Sequence, residues 1–356
     1  MTSYPVGKVQ TVLGPIDPES LGVTLTHEHL FIDLTGVLPP KPVGAGWHDI
    51  YDEPLSMDNV GLVRHHFVPN RDTGRLSDLD VAIEEAAHYK RRGGGTLVDA
   101  TNPDIGRDPI NLSAVSHATG LNIVMGAGHY VDVAHPKDMA SRKEDDIVEE
   151  IIGDLSEGVD ETGVRAGLIG EIGCSWPLTD NERKVLRAAG RAQAATGAPL
   201  LIHPGRDETA PLEIVEVLDE VGTDLTHTIV GHLDRTVFDK STLASLAECG
   251  VYLEWDLFGR EQHYYWANPA IDMPHDGQRI ADIAWTIEQG YGDRVVVAHD
   301  ICTKDRLLKY GGHGYFYFLS RIVPRMRFRG FTEGQIKAIL VDNPASALPF
   351  REPAGS

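Results

Sequence analysis

Five segments of this 356-residue chain read as short strands that end in histidine or a carboxylate: Thr26-His27-Glu28-His29, Gly170-Glu171, Leu201-Ile202-His203, Val230-Gly231-His232 and Val297-Ala298-His299-Asp300. A strand end aims its side chain from a backbone that resists displacement, and imidazole and carboxylate suit divalent transition metals. The pattern is that of a metal site at one rim of a barrel. From Glu171 to His203 to His232 the intervals are 32 and 29 residues, the length of one strand-helix-strand unit.

Apolar runs bounded by turn residues mark eight strands, at 22–26, 96–101, 122–127, 167–172, 199–203, 228–232, 251–255 and 294–299. The runs are continuous rather than alternating, as parallel strands covered on both faces require. Helical patterns lie between them: Ile147, Ile151, Leu155 and Val159 recur every fourth residue, and Leu212, Val215, Leu218 and Val221 every third. Thr179 with Glu182 and Thr332 with Gln335 read as capping boxes, and Gly197 as a helix stop.

The expected fold is α/β, a (β/α)8 TIM barrel with a short N-terminal hairpin, Val9–Leu13 with a turn at Gly14-Pro15, closing its base and long loops on its C-terminal face. Residues 1–356 are expected to form one domain. The long loops are 31–76, rich in Pro and Gly at 36–46, then 258–275 and 301–331; the last two carry Tyr264, Tyr265, Trp266, Tyr310, Tyr315, Phe316 and Tyr317. Such loops shape substrate pockets.

Composition narrows the function. A net charge of −21, with 53 acidic against 32 basic residues, repels phosphate backbones and acidic membranes, so neither nucleic acid nor a membrane is an expected partner. The first residues hold no apolar signal core, and no stretch reaches the ~20 apolar residues that cross a bilayer. A cytoplasmic location follows by default. Three scattered cysteines, Cys174, Cys249 and Cys302, make no disulfide framework.

His27 and His29 lie two apart on one strand face, and His203 and His232 follow equivalent apolar runs. Glu171 and Asp300 sit among apolar neighbours, where a lone carboxylate costs several kcal/mol. A cation removes that penalty. Four histidines and two carboxylates exceed the needs of one catalytic zinc, so two ions are the simpler account. Glu171 would bridge them, with His27, His29 and Asp300 on one and His203 and His232 on the other. Zinc is the first choice, with manganese, cobalt and iron open.

Several segments carry a resemblance: Val12-Leu13-Gly14-Pro15, Thr26-His27-Glu28-His29, Gly170-Glu171-Ile172-Gly173-Cys174-Ser175-Trp176-Pro177, His203-Pro204-Gly205 and His232-Leu233-Asp234. Across nearly its whole length the chain resembles the phosphotriesterase family of the amidohydrolase superfamily, the phosphotriesterase-related branch in particular. The best-known members bridge their metals with a carboxylated lysine on strand four; here Glu171 stands there, as in the related branch. The resemblance implies a homodimer and a small-molecule substrate. It also implies a role for Tyr130 at the substrate oxygen, although the residue equally suits an aromatic pocket wall. Arg260, past strand seven, reads either as a binder of an anionic substrate group or as a surface residue.

The expected chemistry is hydrolysis by a metal-bridging hydroxide, with Asp300 holding it and taking its proton, and Asp256 or a neighbouring histidine assisting. The expected substrate is a carboxylic ester, lactone or N-acyl amide, with phosphotriesters cleaved as a side activity. The alternatives are phosphotriester hydrolysis as the main activity, a TatD-like phosphodiesterase, against which the charge argues, and a metal-stabilised binding barrel without catalysis.

Overall fold

A computed structural model describes residues 4–39, 41, 48–65, 70–261, 265 and 267–354. Gly44, Gly46, Tyr264 and Trp266 lie outside the described residues. Eight parallel strands form the barrel: β1 (Val23–Glu28), β2 (Gly94–Asp99), β3 (Asn122–Ala127), β4 (Leu168–Gly173), β5 (Leu200–His203), β6 (Thr228–Val230), β7 (Tyr252–Trp255) and β8 (Val295–Val297). They pair in chain order from β1 round to β8. The seam between β8 and β1 is bridged where Asp300 N–H donates to His27 O at 3.1 Å.

The continuous apolar runs follow from this closure, because alternate strand residues serve two cores. Val98, Val124, Leu168, Leu201, Ile229, Tyr252 and Val296 pack together inside the barrel. Their neighbours Leu97, Ile123, Ile169, Leu200, Val230, Leu253 and Val295 pack outward against the helices.

The covering helices are α1 (Leu79–Arg91), α2 (Pro109–Thr119), α3 (Glu144–Ser156), α4 (Asp180–Thr196), α5 (Ala210–Glu220), α6 (Lys240–Glu248) and α7 (Asp276–Glu288). Thr179 and Glu182 form a reciprocal capping box at the start of α4, which ends on left-handed Gly197, φ 70°. Thr332 and Gln335 cap Glu333–Lys337 in the same way. Val159 and Val221 fall just past the ends of α3 and α5. Among the described residues no helix is long and apolar enough to cross a membrane.

The N-terminal hairpin pairs Val9–Thr11 with Gly14–Ile16, so its turn falls at Val12-Leu13 and the expected turn residues Gly14 and Pro15 belong to the second strand. It closes the barrel's base as expected: Val9 joins the interior core, and Val12 N–H donates to Ile123 O at 2.9 Å.

Most expected strand limits shift by one or two residues, and two of the shifts bear on the site. Strand β6 ends at Val230 and β8 at Val297, because His232 and Asp300 turn into left-handed backbone at φ 55° and 49°. The expected loop 301–331 is also partly helical, at Phe318–Ile322 and Val323–Phe328.

Candidate metal centre

All six residues expected at the metal site converge at the C-terminal mouth of the barrel. His29 Nε2 lies 3.4 Å from Glu171 and 3.2 Å from Asp300, and His27 Nε2 lies 3.4 Å from Glu171. His203 Nδ1 lies 2.6 Å from Glu171 and 2.8 Å from His232 Nε2. His27, His29 and Asp300 bring donor atoms within 4.8 Å of one another, as do His27, Glu171 and His232.

The backbone aims these groups by local devices. A register shift between Ile169 and Ile172 re-aims Glu171. It requires glycine at 170, where φ is 138° and a Cβ would meet Leu201 O at 2.4 Å. The left-handed turn at His232 is held by its own N–H donating to Asp256 at 2.8 Å, and the turn at Asp300 by the seam bond to His27. Glu28 accepts from the N–H groups of His299 and Ile301 at 2.8 and 3.0 Å and pins the end of β8.

Hydrogen bonds behind the cluster settle which ring nitrogen faces it. The Thr101 hydroxyl donates to Phe31 O, so it accepts from His29 Nδ1, at 2.8 Å. His29 Nε2 is thereby left as a lone pair facing two carboxylates. His27 Nδ1 lies 3.2 Å from both Glu254 and Asp256, and His232 Nδ1 donates to Asp256 at 2.8 Å. The buried Nε2 of His27 makes no hydrogen bond among the described residues. Lone pairs and carboxylates converging in a buried space fit divalent cations and little else. A third grouping, of His27 with Glu254 and Asp256, is instead a hydrogen-bond set, because it engages the protonated face of His27.

Within the cluster, imidazole and carboxylate charges offset one another. Burial raises a carboxyl pKa, yet the surrounding imidazoles outweigh it, holding Glu171 well below the ordinary range and Asp300 at about 2. Burial disfavours a charged imidazole, yet Asp256 lifts His232 to about 9. Burial, with His232 beside it, keeps His203 neutral.

Asp256 does not reach the cavity. Its oxygens serve His232 and His27 from behind, so it orients rather than shuttles. Glu254 was missed in the sequence, although Tyr252, Glu254 and Asp256 alternate along the inward face of β7, which is the signal that identifies it.

The cluster floors a cavity of about 300 Å³ whose walls include Tyr130, Leu34, Val37, Val133, Leu257 and Cys302. Tyr130 is buried with its hydroxyl 3.4 Å from His203 Nδ1, and Arg260 lines the same cavity. Of the expected loop aromatics among the described residues, only Tyr265 reaches it. Tyr315 donates to His29 O and Tyr317 to Asp276, both at 2.7 Å. Phe316 lies under Arg92 and Tyr310 near Lys304. These four support the loop instead of the pocket.

Arg206 and Arg235 also line the cavity and were missed. Each stands three residues after a candidate ligand, in His203-Pro204-Gly205-Arg206 and His232-Leu233-Asp234-Arg235. That repeated spacing is their signal.

Comparison with known proteins places this geometry. An N-acetyltaurine hydrolase from Xenopus tropicalis is 45% identical over 346 residues, covering 97% of this chain and 99% of that one. A resiniferatoxin-binding protein from Rhodobacter sphaeroides superimposes with a TM-score of 0.93 at 36% identity, covering 97% and 96% of the two chains. A lactonase from Listeria monocytogenes does so at 0.78 and 26%, covering 98% and 100%. The phosphotriesterase family model matches residues 7–348, and the chain belongs to that family of hydrolases.

Proposed function

We propose that the chain is a binuclear metal-dependent hydrolase of a small carboxylic substrate, with an N-acyl amide favoured over an ester or lactone. The observation that carries this is the convergence of His27, His29, Glu171, His203, His232 and Asp300 on one buried point, with all but His27 lining the cavity. The amide preference rests on the relative named an N-acetyltaurine hydrolase.

In this reading His27, His29, Glu171 and Asp300 would hold one cation, and Glu171, His203 and His232 would hold the other. Two divalent ions, zinc first, supply a Lewis acid for the acyl oxygen and an activated water. Asp300, held as a carboxylate, accepts the proton of the attacking water. Tyr130 directs its hydroxyl to the acyl oxygen, and Arg260 contacts the far part of the substrate. The water oxygen ends in the carboxylic acid, the C–N bond breaks, and the departing nitrogen gains a proton. A single domain over residues 1–356, a cytoplasmic location and a homodimer belong to the same proposal.

Metal analysis with a panel of N-acyl amines, lactones, aryl esters and phosphotriesters, ranked by kcat/KM, tests it. Two metals per chain with an N-acyl amine ranked first is the expected result. Glu171→Ala should lose metal and activity together. Full turnover by the metal-stripped protein would overturn the proposal.

A further inference from the structure

The cavity beside the cluster carries more positive charge than cleavage of a neutral amide requires. Arg206, Arg235 and Arg260 follow β5, β6 and β7 and line the one cavity, together with Tyr265. In a chain of net charge −21, three guanidinium groups beside one cavity of about 300 Å³ are a marked segregation.

The three do not have the same work. Arg235 donates to the Thr236 hydroxyl at 3.0 Å and to Pro204 O at 3.2 Å, and rests against His203. It is engaged by the fold. Arg206 donates from Nε to the Tyr265 hydroxyl at 2.7 Å, its only side-chain hydrogen bond among the described residues. Its two Nη groups are left for a ligand. The guanidinium carbons of Arg206 and Arg260 lie 5.6 and 5.5 Å from the centre of the Tyr265 ring, so both pack beside the same phenol.

Tyr265 reports the field at this wall. Burial alone would raise its pKa, but Arg206, Arg235 and Arg260 pull it down to about 8. A field that stabilises a phenolate stabilises a ligand anion at the same place, and a guanidinium fork matches planar or tetrahedral oxyanions. Among the described residues Arg206 and Arg235 form no ion pair with a carboxylate. The charge therefore remains for the cavity's occupant.

We propose that Arg206, with Tyr265 and Arg260 beside it, forms an anion subsite that holds a terminal sulfonate or carboxylate of a short N-acyl substrate while the acyl group lies against the histidine–carboxylate cluster. The assignment to a substrate tail rests on the hydrolase reading above. The subsite itself is a binding property of the wall.

The test compares N-acetyltaurine, N-acetyl-β-alanine and the uncharged N-(3-hydroxypropyl)acetamide on the metal-loaded enzyme. The two anions should exceed the alcohol in kcat/KM by about 10- to 100-fold, the range of one charge-assisted contact. Arg206→Gln should collapse that ratio mainly through KM, and Arg206→Lys should restore part of it. The ranking of the two anions identifies sulfonate or carboxylate. Calorimetry with propane-1-sulfonate and propanoate gives a readout independent of turnover: binding should weaken at least tenfold in Arg206→Gln and recover partly in Arg206→Lys. Arg206-dependent binding without hydrolysis of any of the three amides would remove the hydrolase reading and keep the subsite. Equal kcat/KM for charged and uncharged amides, or unchanged binding of both anions in Arg206→Gln, would overturn the subsite.

Discussion

The backbone N–H of Asp300 donates to the carbonyl of His27 at 3.1 Å, so the barrel's seam is tied at two residues whose side chains meet in the candidate metal centre. Closure of the fold and assembly of the site share these two residues. The bond uses main-chain atoms only, which separates the structural role of Asp300 from its chemical one.

Asp300→Asn keeps the seam and the side-chain volume while removing the charge. Its thermal unfolding should stay close to that of the unsubstituted protein, while kcat/KM falls about 100- to 10,000-fold, the worth of a general base. Activity within threefold of the parent would remove Asp300 from that role.

Glu254 lies wholly inside the barrel and accepts from the Thr26 hydroxyl, with His27 Nδ1 at 3.2 Å. Glu254→Gln should leave the cavity intact but loosen the orientation of His27. A chelator-competition titration should show metal affinity lower by about 10- to 100-fold, as for other groups behind metal-bound histidines.

At Gly170 an added methyl would meet Leu201 O at 2.4 Å in a backbone at φ 138°. Gly170→Ala should cost upward of about 2 kcal/mol by urea denaturation, combining strain with a steric clash. A cost below about 0.5 kcal/mol would mean that β4 can relax around the methyl.

Beside the site, His129 lies 3.0 Å from Asp104 and 3.4 Å from Glu150. Burial opposes its protonation, but these carboxylates lift it to about 9. A raised pKa contributes stability that is complete below the unfolded value, about 6.5, and is lost as pH climbs toward 9. Glu150, despite burial, is held at about 2 by His129 and Arg142, so its contribution is complete above about 4.5 and fades as pH falls. The stability difference between the parent and His129→Gln should therefore be largest between about pH 4.5 and 6.5, on the order of 1–3 kcal/mol, and shrink by pH 9.5. A difference that grows with pH would contradict this assignment.

The barrel was legible because its signals are local. Strands covered on both faces must be apolar throughout, and the residue that breaks each run at the rim stands out. His203, directly after Leu200-Leu201-Ile202, is the simplest case. Glu254 was hidden by the same rule read in reverse: one inward carboxylate within Tyr252-Leu253-Glu254-Trp255 looks like noise until His27 and Thr26 are seen to meet it. The aromatics of 310–317 misled because composition marks a loop as ordered without saying which way its side chains turn.

The sequence by itself determined the strand-helix alternation, the rim position of six metal-type ligands and the glutamate on strand four, all encoded by period and spacing along one chain. Only the tertiary structure decided which imidazole nitrogen faces the centre, that His232 and Asp300 leave their strands in left-handed turns, and that Arg206 and Arg260 meet Tyr265 at one cavity. Those features depend on partners tens to hundreds of residues away, such as Thr101 for His29 and His27 for Asp300, and no local pattern carries the contacts that hold them.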